Sequence, residues 1–184
     1  MSEIIRFTKE DTILVIIDMQ ERLLPAMCER ERTEDHTLRL VRGLNVLGVP
    51  KLVTTQYARG LGQTLETLAA ELADCPVFDK TAFSAYKDEA FRAALEKTGR
   101  KTVILSGVEA HVCVLQTALD LIEHGYRVAL AMDCVSSRAA ESVRIAEKTL
   151  MASGAVLTSC ESILFELLGS AKAPEFKQIS AIVK

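Results

Sequence analysis

Residues 12–18 read Thr-Ile-Leu-Val-Ile-Ile-Asp: an unbroken apolar run, Ile13 to Ile17, that ends on the carboxylate of Asp18. A strand with one wet face alternates apolar and polar residues. This run does not alternate, so both of its faces must be covered, as in a parallel sheet sandwiched between helices. It is also far short of the ~20 residues that a membrane span needs.

Working outward from this strand, further β-rich runs recur at Lys51–Gln56, Pro76–Phe78, Lys101–Ser106, Arg127–Met132 and Ala155–Thr158. Helical stretches separate most of them. Leu38, Val41, Leu44 and Leu47 fall at helical spacing within about Asp35 to Leu47, and Gly48 stops that helix. A helix is expected over about Thr64 to Leu72, one capped by Asp88 and running to about Lys97, and one over about Val112 to His124. Two more start at Ser137 and Ser159, and a short polar tail helix closes the chain. Tyr57 to Gln63, with two glycines, reads as a mobile loop, and the charged run Glu29 to Asp35 as a solvated face. Strands alternating with helices through short connections predict a parallel sheet with helices on both faces; the expected fold is a three-layer αβα, Rossmann-like six-stranded parallel sheet in the order 3-2-1-4-5-6. No linker divides the chain, so residues 1–184 read as a single domain.

Composition narrows the function. Lys and Arg total 22 against 25 Asp and Glu, a formal net charge of −3 with no basic block, so neither nucleic acid nor a membrane surface is an expected partner. A hydrophobic fraction of 49% excludes a disordered chain. The stretch MSEIIRFTKEDT lacks the layout of a signal peptide. The five cysteines, Cys28, Cys75, Cys113, Cys134 and Cys160, form no C-x-x-C, which argues against a disulfide framework or a cysteine zinc site and for a reducing, cytoplasmic compartment.

An open α/β sheet binds its ligands beyond the carboxyl ends of its strands, where the strand order reverses. The polar residues there are Asp18 and Gln20 after the first strand, Gln56 and Tyr57 after the second, and Asp79 and Lys80 after the third. The segment Gly107 to Cys113 follows the fourth, and Asp133, Ser136 and Ser137 follow the fifth. Cys113 falls in the expected first turn of a helix, where free amides and the helix dipole favour a thiolate and could hold an oxyanion. Taken singly, each residue has a plainer use: Cys113 as a small core hydrophobe, Asp18 as a loop anchor, Lys80 as a solvated cation. Together they make a nucleophile, a carboxylate base and a cation at three strand ends. The other four thiols read as structural.

These positions resemble the isochorismatase-like cysteine hydrolase family: VIIDMQ with Asp18 and Gln20, FDKTAFSAY with Lys80, and SGVEAHVCVLQTALDL with Cys113. The segments TTQYARGLGQT and DCVSSR look closest to the small isochorismatase domain-containing proteins. The resemblance spans Thr12 to about Gly169. It implies Cys113 as nucleophile, Asp18 as general base and Lys80 as the cation that orients them. It also implies a cis peptide bond at Val108–Glu109 that aims the Glu109 and Cys113 amides at one oxyanion. The implied reaction is hydrolysis of a small amide or related C–N bond through an acyl-enzyme, by a homo-oligomer.

The metal motif of the nicotinamidase branch, an Asp-x-His after the second strand, is missing from TTQYARGLGQT, so no metal and no cofactor is expected. Gln20, Gln56, Tyr57, Phe83, Tyr86 and His111 are candidate pocket residues. His111 stands two residues from Cys113, off its helix face, and reads as structural or pocket-lining. The alternatives are a nicotinamidase-type amidase, a catalytically silent binding protein of the same fold, or a thiol redox sensor with a resolving cysteine brought close by folding.

Overall fold

A computed structural model describes residues 6–184. The start of the stretch read against a signal peptide, residues 1–5, lies outside the described residues. The strands are β1 (Thr12–Ile17), β2 (Lys51–Gln56), β3 (Val77–Lys80), β4 (Thr102–Val108), β5 (Arg127–Ser136) and β6 (Val156–Thr158). They form one six-stranded sheet in the order β3-β2-β1-β4-β5-β6. All of its pairings are parallel, as the unalternating run of β1 predicts.

Every residue of β1 is buried. Leu14 and Ile16 point into one hydrophobic core; Ile13, Val15 and Ile17 point into another on the opposite face. The first core is closed by α1 (Arg30–Val46), α7 (Cys160–Leu168) and α8 (Phe176–Val183) through Leu40, Leu44, Ile163, Leu164 and Ile179. The second is closed by α4 (Glu89–Lys97), α5 (Leu115–Glu123) and α6 (Ala140–Ala152) through Phe91, Leu95, Ala118, Leu121 and Leu150. Two short helices, α2 (Ala58–Leu61) and α3 (Glu66–Ala69), lie between β2 and β3. Gly107 allows β4 to close on β1. Its φ is +112°, and a Cβ there would stand 1.9 Å from the Ile17 carbonyl oxygen. Only glycine fits such an approach.

Several boundaries differ from the sequence reading: β4 runs on to Val108 and β5 to Ser136, past the expected ends at Ser106 and Met132, so Asp133 and Ser136 lie within β5 and not after it. Helix α1 begins at Arg30, not Asp35. Its first turns are mostly exposed and carry no apolar period; Arg32–Glu29 (2.7 Å) and Arg39–Asp35 (2.9 Å) ion pairs flank it instead. Strand β3 is displaced from Pro76–Phe78 to Val77–Lys80, with Pro76 contributing only its carbonyl, to Val53 N–H at 3.1 Å. The expected helix over 64–72 contracts to α3. The segment expected to be a mobile loop, Tyr57 to Gln63, contains α2 and is pinned to residues 20–22 by backbone bonds Glu21 N–H to Gln63 O (3.0 Å) and Arg22 N–H to Leu61 O (3.1 Å).

Asp88 caps α4 as read, its carboxylate accepting from Phe91 N–H at 2.9 Å. Asp88→Ala is expected to cost ~1 kcal/mol, seen as a melting-temperature drop of about 2–4 °C in a chain of this size. Ser137 does not cap α6. That helix has Ala139 at its start with no side-chain cap, and Ser137 is used elsewhere.

Candidate active site

The switch in strand order lies between β1 and β4, and the candidate residues converge at the carboxyl ends there. Asp18 follows β1 with a left-handed φ of +52°, a conformation that aspartate tolerates better than most side chains. Its carboxylate is fully buried. One oxygen accepts from Thr54 Oγ1 at 2.7 Å and the other from Lys80 Nζ at 2.8 Å. Lys80 is the last residue of β3, two strands away, and is 1% exposed. It reaches Asp18 over Gln56, its register partner on β2, and donates to Gln56 Oε1 at 2.7 Å on the way.

Gln56 is held on every side. Its N–H donates to Gln20 Oε1 (2.8 Å), its carbonyl accepts from Gln20 Nε2 (3.2 Å), and its Nε2 donates to Thr81 O (2.9 Å). The last bond fixes the amide so that Oε1 faces the buried cation. Gln20, itself fully buried, also donates to Gly62 O at 2.8 Å and so ties the 57–64 segment to the site. Gln56 Oε1 meets the third residue as well: Cys113 Sγ lies 3.9 Å away and donates to it.

Cys113 is not in the first turn of an α-helix. The coil after β4 opens as a π-helical turn, Ala110–Val114, with an i→i+5 bond from Val114 N–H to Glu109 O at 3.2 Å. This places the thiol inside the coil, 6% exposed. Burial, and after it the Asp18 carboxylate, push its pKa up to about 12, with Lys80 pulling the other way. The resting sulfur is therefore a protonated thiol, the reverse of the thiolate expected from a helix start. The sign for stability follows. The folded chain holds this proton more tightly than the unfolded chain, so the contribution is complete below pH 9.0 and is lost as pH rises toward about 12.

The Val108–Glu109 peptide is cis. The Glu109 carbonyl accepts from Val112 and Val114 N–H, while its carboxylate accepts from Arg138 N–H (3.2 Å) and Arg138 Nε (3.0 Å). His111 is turned to Ser137, with Nδ1 2.9 Å from Ser137 Oγ, which fastens the π-turn to the chain leaving β5. Tyr57 and Phe83 are each 52% exposed. Tyr86 has other company than the pocket reading gave it. It is buried against His124 (4.5 Å between ring centroids) and Tyr126, and lines a hollow with Arg92, Glu96 and Asp120. Its aromatic surface is spent on packing. Thr54 escaped the sequence reading; its only signal is a hydroxyl directly after the apolar pair Leu52–Val53 in KLVTTQ.

All five thiols are free. Cys134 and Cys160 belong to the core opposite that of Cys113. No helix among the described residues is long and apolar enough to cross a membrane.

Comparison with known proteins shows what the chain is similar to. The model of the isochorismatase domain matches residues 12–162. Isochorismatase domain-containing protein 1 of Salmo salar is 39% identical over 94% of this chain, which spans 61% of that protein's length. The secreted isochorismatase effector Isc1 of Phytophthora sojae is 38% identical, covering 97% of this chain and 87% of its own. The solved structure of MAR1 ribonuclease from Caenorhabditis elegans superimposes with a TM-score of 0.92 at 36% identity, covering 97% of this chain and 92% of that one.

Proposed function

The chain belongs to the isochorismatase family, and on that premise we propose that it hydrolyses a small amide or related C–N bond through an acyl-enzyme on Cys113. The observation that carries this reading is the contact of one amide oxygen, Gln56 Oε1, with both Lys80 Nζ (2.7 Å) and Cys113 Sγ (3.9 Å), beside the buried Lys80–Asp18 pair. A thiol pushed up to about 12 is inert without a base, and the buried carboxylate whose charge it feels is Asp18.

Proton transfer from Cys113 to Asp18 leaves the net charge of the site unchanged. Before it, the Lys80 ammonium balances a carboxylate; after it, the same ammonium balances a thiolate. No new charge is buried, so the transfer avoids the cost that makes an isolated buried ion prohibitive. The thiolate attacks the carbonyl carbon, and the C–O π electrons move to oxygen. The backbone N–H groups of Glu109 and Cys113 receive that oxyanion, a contribution typically worth ~10²–10³ in rate. Asp18 returns the proton to the leaving amine as the C–N bond breaks. It then takes a proton from water, whose oxygen attacks the thioester carbon; as the C–S bond breaks, Asp18 returns that proton to the Cys113 sulfur and the carboxylic acid leaves. Gln56 is a positioning residue: it holds Lys80 and the thiol at one point without entering the bond changes. Substrate selection is assigned to the 57–64 segment, which Gln20 ties to the site, with exposed Tyr57 and Phe83 as its candidate side chains.

Mass measurement of the intact protein after exposure to a panel of short aliphatic and aromatic carboxamides tests this. An acyl adduct is expected on the native chain and none on Cys113→Ala. An adduct that persists in Cys113→Ala overturns the assignment. RNA cleavage, the activity that the C. elegans protein's name carries, proceeds through a 2′-hydroxyl or water and needs no thiol. Ribonuclease activity surviving Cys113→Ala would count against the amidase reading.

A further inference from the structure

The opposite end of the sheet carries a second arrangement that the proposed chemistry does not use. Lys51 is the first residue of β2. Five residue steps of ~3.3 Å separate it from Gln56, or about 16 Å. It is 8% exposed, and its ammonium donates to the Val49 carbonyl at 2.9 Å. Among the described residues no carboxylate comes within ion-pairing distance of it. Buried lysines are almost always paired, because an ion taken out of water is costly without a counter-charge. The cost registers here as a pKa drawn down by burial.

Lys51 lines a cavity of about 500 Å³ whose walls are mostly apolar: Ile13, Leu52, Pro76 and Ala94. Half-buried Cys75 lines it too, and feels the Lys51 charge. The two other charged lining residues, Asp74 and Lys97, are exposed and opposite in sign, so the buried charge inside is the single ammonium. An ammonium has three donors, and one is used. The volume falls in the ~300–1,000 Å³ range of small-molecule sites, which pair apolar walls with a few fixed polar groups.

We propose that this cavity is a binding site for a small monocarboxylic acid with an apolar body, its carboxylate on Lys51 Nζ and its chain against Leu52, Pro76 and Ala94. The acid supplies the counter-ion that none of the described residues provides, and apolar burial adds the rest of the affinity. The site is separate from Cys113 and stands whether or not Cys113 is a nucleophile.

Sodium octanoate is a suitable probe, with octanol and salt of equal ionic strength as controls. Alkylation of Cys75 by iodoacetamide, followed peptide by peptide, reports occupancy of the cavity. Octanoate is expected to slow Cys75 alkylation saturably and to raise the melting temperature, while Cys113 and Cys28 react as before. Lys51→Met should weaken the octanoate effect at least tenfold and, with the unpaired charge gone, should not lower the melting temperature of the free protein. Ala94→Phe, which fills the cavity from α4, should abolish protection and covers the case in which Lys51→Met fails to fold. Equal protection by octanol, or undiminished octanoate protection in Lys51→Met or Ala94→Phe, overturns the proposal. So does Cys75 protection that grows with protein concentration in the absence of octanoate, since a second copy of the chain would then be the occupant.

Discussion

Asp18→Asn is expected to slow turnover by ~10²–10⁴-fold while making Cys113 more reactive toward iodoacetamide, not less. The two effects diverge because the carboxylate plays opposite parts at rest and in reaction. At rest its negative charge stands beside the sulfur and, second only to burial, holds the thiol's pKa up to about 12. At pH 8 about one molecule in 10⁴ then carries the thiolate, since each pH unit below the pKa is a factor of ten. Asparagine keeps the shape, suits the φ of +52°, and removes that charge, so the alkylation profile of Cys113 shifts to lower pH. During turnover, the same carboxylate is the acceptor that makes attack possible once a carbonyl is in place, and asparagine cannot accept the proton. Alkylation of Cys113, read by peptide mass against Cys28 as internal control, and amide turnover should be measured at a temperature where both proteins are folded. Slower alkylation of Cys113 in the variant would show that Asp18 activates the resting thiol. Undiminished turnover would remove Asp18 as the base.

The same contrast marks how far sequence carries. The apolar run of β1 reports its own burial on two faces, and that is a local property; the parallel sheet follows from such runs. Asp18, Lys80 and Cys113 were legible because each stands at or near the end of a β-rich run and in a segment that carries the family resemblance. The state of the thiol was not. A helix start is a local feature and favours a thiolate, whereas burial and the Asp18 charge arrive from 95 residues away in sequence and dominate. The end of β3 was misread for a related reason. Asp79 and Lys80 are polar and look like a strand exit, but Lys80 remains in the ladder opposite Gln56 because Asp18 and Gln56, not water, satisfy its ammonium. Gln20 and Gln56 read as pocket candidates from sequence, yet the two-way amide clamp between them appears only when β1 and β2 are set side by side. Tyr86 shows the converse: an aromatic near a strand end that packing consumes.

The Asp18–Lys80 pair also sets the site's largest energetic liability. Both groups are buried, with side-chain exposure of 0% on each, and their 2.8 Å bond is the only ion pair either makes among the described residues. Lys80→Met is expected to cost about 3–5 kcal/mol, because it strands a buried carboxylate and leaves Gln56 Oε1 without its cationic donor. In a chain of this length that is a fall of roughly 6–20 °C in melting temperature. Asp18→Asn should cost a similar amount by stranding the ammonium. The double variant Asp18→Asn/Lys80→Met buries no charge at all. The introduced amide can still accept from Thr54 Oγ1. It should therefore be more stable than either single variant, with a coupling of at least ~2 kcal/mol in a double-mutant cycle, and it should have no activity. Such a result separates the two roles of the pair: retained for chemistry, dispensable for folding once both charges are gone. Additive losses, with the double variant less stable than either single one, would mean that Asp18 and Lys80 are stabilised by their other partners and not by each other.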